Sequence, residues 1–160
     1  TPFRGAVLIL LISGATIAGA WLFEWYGYAP CDLCLKQRWA YYIGVPLAAA
    51  AVLLSCRGPV VLARSLIILL ALIFAASAVF GAYHAGVEWG FWPGPAGCTG
   101  TVAQTAGSMA DFMKQLKTVK VVRCDVVELR IFGVSLAGWN AVLSLLISAI
   151  ASKAAFSRKS

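Results

Sequence analysis

The chain has 160 residues, 61% of them hydrophobic and 12% charged, with a formal net charge of +7. Soluble domains of this size keep charged residues near about a quarter, so a water-exposed globular fold is excluded. The basic excess fits membrane orientation and lipid contact rather than nucleic acid, and no phosphate loop, hydrolase elbow, pair of catalytic carboxylates or internal repeat is present.

Four charge-free runs follow one another along the chain, at 5–23, 39–56, 65–83 and 131–152. Each reaches the roughly 18 residues needed to cross a bilayer core about 30 Å thick. The pattern predicts an all-α membrane protein: a four-transmembrane-helix bundle forming a single domain over 1–160. The spans fall at about 5–25, 35–56, 63–84 and 132–152, and the outer loops at about 26–34 and 86–131. In the first run, Arg4, the apolar stretch and the triplet Ala18, Gly19, Ala20 also resemble a cleavable signal peptide. The apolar run continues through Trp21, Leu22 and Phe23, so a retained first helix is expected. Pro46 lies inside the second run, where neighbouring helices can satisfy the carbonyl it frees.

Just ahead of the second span, after Pro30, comes Cys31-Asp32-Leu33-Cys34. Two thiols at this spacing form a reversible two-electron switch. The pair occupies the first helical turn, where unpaired amide N–H groups and the helix dipole favour an anion. Arg38, four residues after Cys34, shares its face and is permanently charged. Both effects favour a reactive thiolate, although an arginine near a helix end can also simply snorkel to the interface. A C-x-x-C-H haem attachment is excluded by Leu35.

His84, the one histidine, closes the third span with Glu88 four residues on. It is either an interfacial polar residue or, with Arg38, a hydrogen-bonding group for a lipid-soluble headgroup at the bundle mouth. The second outer loop begins with the aromatic, turn-rich stretch 88–95, and Cys98 then sits among small residues that would let its sulfur meet a visitor. Ser108 and Asp111 suggest a helix start, with Met109, Phe112, Met113 and Leu116 on one stripe and Lys114, Gln115 and Lys117 away from it. A short amphipathic helix on the membrane surface is predicted there, and a helix packed within the loop would show the same stripe.

Parity puts the two loops holding Cys31, Cys34, Cys98 and Cys124 on one side of the membrane. Cys56, 22 residues after Cys34, falls roughly 33 Å away at the opposite surface. Basic residues are balanced, six against seven, but all six acidic residues lie on the cysteine side, leaving the terminal side purely basic with the shorter loops. Paired cysteines persist on oxidising faces, so the cysteine side is expected outside the cytoplasm and the termini inside. All six Trp fall toward that same face.

The stretch Cys-Asp-Leu-Cys-Leu-Lys-Gln-Arg at positions 31–38 resembles the C-x-L-C-x-x-x-R signature of the DsbB family of bacterial membrane disulfide-bond-formation proteins. The four-span layout agrees, as do the loop cysteines Cys98 and Cys124 at a separation of 26, Tyr83-His84 at the end of the third span, and the stretch 132–140, which is similar to the start of that family's fourth helix. The resemblance implies a protein-dithiol:quinone oxidoreductase of the bacterial inner membrane. It would reoxidise a DsbA-like periplasmic thioredoxin-fold partner and pass the electrons to a quinone, either ubiquinone or menaquinone. By position, Cys98 would take the partner's attack and Cys124 would be its disulfide mate. Cys31 would exchange with that pair, and Cys34 would be the thiolate meeting the quinone. Arg38 and His84 would hold and polarise the quinone, and no metal is implied.

Three other classes fit parts of the pattern. A relative of the vitamin K epoxide reductases would place its loop cysteines before the C-x-x-C, whereas here they follow it. A non-enzymatic metal-binding membrane protein could gather four thiolates around zinc, but the 98–124 spacing and flexible flanks suit a cage poorly. Disulfides that merely staple extracytoplasmic loops are the third.

Overall fold

The computed structural model describes residues 1–95, 98 and 122–157. Among these, four helices dominate: α1 Pro2–Trp25, α2 Asp32–Arg57, α3 Val60–Glu88 and α4 Leu136–Phe156. All four are long and apolar enough to cross a membrane. The protein is a multi-pass, all-α membrane protein. α2 runs unbroken through Pro46. Short connections force α1, α2 and α3 to alternate in direction, and α4 packs antiparallel to α3, so the C-terminal ends of α1 and α3 meet the N-terminal ends of α2 and α4. α1 packs on α2 and α4, α3 packs on the same two, and the α1–α3 diagonal is sparse. The bundle is therefore a square in chain order.

Within a bilayer, close packing and interhelical hydrogen bonds hold helices together, because lipid tails are as apolar as leucine. The core accordingly mixes small and large residues: Ala6, Ala48, Ala51 and Ala151 let backbones approach around Phe74, Ile67 and Ile147. At Gly81 α3 and α4 approach closely, since a Cβ there would sit 2.9 Å from the Ala141 backbone nitrogen. That contact brings Asn140 of α4 against α3.

The fourth helix starts later than its charge-free run. Residues Arg130–Ile131 (β1) and Val134–Ser135 (β2) pair as a small antiparallel hairpin before it. Phe132 (φ 52°) and Gly133 (φ 81°) make the two-residue turn, both in left-handed conformation as a tight hairpin requires. Ser135 then caps α4 by accepting the Gly138 N–H at 3.2 Å. Hydropathy cannot distinguish this apolar hairpin from a first helical turn. The amphipathic segment expected around 108–117 lies outside the described residues.

Candidate redox site at the mouth of the bundle

Cys31 is the N-cap of α2, in extended conformation, and its sulfur accepts the Cys34 N–H at 3.2 Å. The Cys34 thiol lies 2.8 Å from Cys31 Sγ, and both cysteines are free. Cys98 and Cys124 form a disulfide across a 26-residue separation, with Cα atoms 5.1 Å apart. Backbone bonds steady it: the Cys98 N–H donates to the Pro95 carbonyl at 2.8 Å, and the Cys124 N–H to the Cys98 carbonyl at 3.0 Å. The two couples are packed together. Cys31, Leu33, Cys98 and Cys124 form one buried cluster, with Cys34, Phe80 and Val122 against it. Cys56 is exposed, 22 residues beyond Cys34 at the far end of α2.

One sequence expectation differs here. Cys98 was to present its sulfur outward, yet it is only 2% exposed. It packs with Cys31 and Leu33 at the α2 terminus, and both sulfurs of the disulfide are buried.

His84 is 1% exposed, and its Nε2 lies 3.6 Å from Cys31 Sγ. Its Nδ1 lies 2.6 Å from the Gln37 amide nitrogen. Gln37 Oε1 in turn accepts from Asn140 Nδ2 at 2.6 Å, and Asn140 Oδ1 accepts from the Tyr41 hydroxyl at 2.7 Å. Tyr41 is 3.2 Å from Ser144 Oγ, which is 3.0 Å from Ser77 Oγ. A continuous polar ladder thus runs down the bundle interior from the sulfur. Such groups at membrane depth persist only when each is satisfied by another.

Sequence reasoning singled out neither Gln37, Tyr41, Ser77 nor Ser144, and took Asn140 only as part of a resembling stretch. A signal existed. Gln37 and Tyr41, Asn140 and Ser144, and Ser77 and His84 each recur at one helix face inside otherwise apolar spans.

These contacts decide where negative charge settles. The Cys34 thiol, the His84 ring and the Cys34 backbone N–H all point at the Cys31 sulfur and outweigh its burial, pulling its pKa down to about 5 from an ordinary value of 9.0. The resemblance implies that Cys34 is the thiolate meeting the quinone, a step that follows the free dithiol. In that dithiol the Cys31 sulfur gathers the donors: the Cys34 thiol first, then the His84 ring and the Cys34 N–H.

Arg38 reaches across to the first helix. Its guanidinium is ion-paired with Glu24 of α1 at 2.6 Å and donates to the Ala20 carbonyl at 3.4 Å. The register that puts it one turn from Cys34 also points it across to α1, and among the described residues its hydrogen bonds go to α1.

Cys31, Cys34, His84 and Arg38 line one cleft of about 450 Å³. Its walls reach Ala15 of α1 and Leu143 of α4, placing its floor roughly 10–15 Å below the helix ends at 1.5 Å per residue. A largely apolar cleft of this size and depth, with sulfur and cationic groups near its mouth, suits a flat lipid-soluble ring. The residues therefore fit a quinone. Among the described residues, two of the five guanidinium donors go to protein groups, and a guanidinium can also donate to a carbonyl oxygen. The donor atoms of Cys31, Cys34 and His84 lie within 4.8 Å of one another and could meet a soft metal. A four-thiolate cage is not formed, since Cys98 and Cys124 are bonded to each other.

A helical bundle that carries a capping dithiol packed on a loop disulfide defines a membrane thiol–disulfide oxidoreductase. The family described as Disulfide bond formation protein DsbB matches residues 4–154, and the chain belongs to that family. It is also similar to the uncharacterized protein RP370 of Rickettsia prowazekii (strain Madrid E), with 22% identity over 143 residues covering 88% of this chain and 80% of that one. No solved structure matches it. Membership makes membrane disulfide-bond formation the general function, in a family that is generally quinone-linked.

Proposed function

We propose that this protein reoxidises a DsbA-like periplasmic dithiol and delivers the electrons to a membrane quinone through its two cysteine pairs. The observation that carries this reading is the single buried cluster joining Cys31 to the Cys98–Cys124 disulfide, on the wall of the apolar cleft. The cysteine face is periplasmic, the termini are cytoplasmic, and the membrane is the bacterial inner membrane. The purely basic terminal side and the clustered tryptophans support that orientation.

The partner's thiolate attacks Cys98, displacing Cys124 as thiolate; the partner's second thiol then closes its own disulfide and leaves the loop reduced. Two electrons and two protons have moved. Next the loop dithiol reduces the Cys31–Cys34 disulfide by exchange at Cys31, restoring Cys98–Cys124. The result is the pattern of bonds described above, a closed loop disulfide beside a free dithiol. A bound quinone supplies the oxidising equivalents, taking up two electrons and two protons. The chain's part is to hold Cys31 and Cys34 against the cleft, keep water from the sulfurs, and direct His84 Nε2 at Cys31. Arg38, anchored by Glu24, orients a carbonyl at the mouth.

The test mixes purified protein with a reduced thioredoxin-fold partner and ubiquinone or menaquinone, and follows quinone absorbance. Cys34→Ser abolishes quinone reduction. Cys98→Ser stops electrons from the partner but still lets dithiothreitol reduce Cys31–Cys34 and drive quinone loss. Full activity in both variants refutes the reading.

A further inference from the structure

The polar ladder has a direction. Gln37 and Asn140 each carry one accepting and one donating end, so fixing one link fixes all. Starting from Tyr41, the order is hydroxyl to Asn140 Oδ1, Asn140 Nδ2 to Gln37 Oε1, and Gln37 Nε2 toward His84 Nδ1. An amide nitrogen cannot accept, so His84 Nδ1 must be the acceptor and the ring proton must sit on Nε2, which faces Cys31. Reversing the chain would turn Gln37 Oε1 to the ring and move its proton to Nδ1. A nitrogen lone pair would then face the sulfur that already accepts the Cys34 N–H. With a neutral ring, only the first order directs an N–H at Cys31 while every group is satisfied; a doubly protonated ring would fit the reversed order as well.

We propose that Asn140 and Gln37 are positioning residues that hold His84 in its Nε2–H tautomer, so that this proton is directed at Cys31 Sγ. Neither touches a sulfur. The proposal rests on the reading of Cys31–Cys34 as the reactive dithiol, and it deepens that reading by assigning how its thiolate is kept. The titratable groups facing Cys31 are Cys34 of α2 and, from α3, His84 and Glu88. Glu88 is itself hydrogen-bonded to Ser135 and faces Arg130 of the hairpin. The loop disulfide packed against the site does not titrate.

The experiment labels the whole reduced protein in detergent with 15N-histidine, and because the sequence contains one histidine a single ring is read. The wild type is expected to show a protonated Nε2 and a bare Nδ1. Asn140→Asp and Asn140→Leu both remove the donor that holds Gln37 Oε1, so Gln37 turns and the proton transfers to Nδ1. Gln37→Glu accepts from Asn140 and from the ring together, giving a doubly protonated ring that still directs Nε2–H at sulfur. The pH profile of Cys31 alkylation by iodoacetamide provides the second readout. Its midpoint rises by about one pH unit in the Asn140 variants, a tenfold loss of thiolate below the midpoint, and does not rise in Gln37→Glu. A merely structural role would move all three variants alike. A wild-type ring protonated at Nδ1, or Asn140 variants that keep the wild-type tautomer and profile, overturns the proposal. Loss of quinone reduction with the tautomer intact would strike the proposed function instead.

Discussion

Replacing His84 by phenylalanine removes the side-chain donor from α3 while keeping a ring of similar size in the site. With Cys31 near pH 5 instead of 9.0, the thiol is about 99% ionised at pH 7, which stabilises the reduced pair by about 2.7 kcal/mol, equivalent to about 60 mV of oxidising power. The sign follows from the lowered value: the stabilisation is complete above the ordinary thiol pKa and disappears as pH falls through about 5. The Cys34 thiol is the largest contributor, with His84 behind it, so the phenylalanine variant loses part of this, about 30–50 mV at pH 7 if the pKa rises by about one to two. Protein carrying Cys56→Ser, Cys98→Ala and Cys124→Ala keeps only Cys31 and Cys34. Thiolate absorbance near 240 nm gives the ionisation midpoint, and equilibration with dithiothreitol gives the potential. In the wild-type site the potential should fall by about 59 mV per pH unit below pH 5 and about 30 mV above it, because one proton fewer accompanies each electron pair. A midpoint above about 8, or a potential unmoved by His84→Phe, would refute the reasoning.

Two further substitutions test the scaffold, each read as thermal unfolding by circular dichroism in detergent. Gly133→Val imposes a branched side chain on a backbone at φ 81° with open space around it, and should cost about 1–2 kcal/mol through conformation alone. Gly133→Asn should be nearly neutral, and equal melting of the valine variant would contradict the turn assignment. Phe74→Ala empties a fully buried position whose ring meets Tyr41 edge-on at a centroid distance of 5.3 Å. A loss of about 3 kcal/mol is expected from the cavity, together with slackening of the ladder above it.

The site joins two features usually read separately: a helix terminus that favours an anion and a buried polar chain that sustains it. Within lipid, Gln37, Tyr41, Asn140, Ser144 and His84 can remain inside the bundle only by bonding to one another. The same links that stabilise helix association therefore set the orientation of the ring beside Cys31.

Much of this molecule was legible from residue order. Charge-free runs longer than a bilayer core, a C-x-x-C ahead of the second run and a cysteine pair in the last loop define a four-span protein with its thiol chemistry at one end, because span length and loop parity are one-dimensional properties. The start of the fourth helix was misplaced by a few residues, since the hairpin at Phe132 and Gly133 depends on two left-handed backbones that hydropathy does not register. Which neighbour Arg38 meets and which polar residues support His84 were settled by folding. Those answers depend on contacts between residues 14 to 103 positions apart, and spacing along one helix says nothing about the side chains another helix brings to face it.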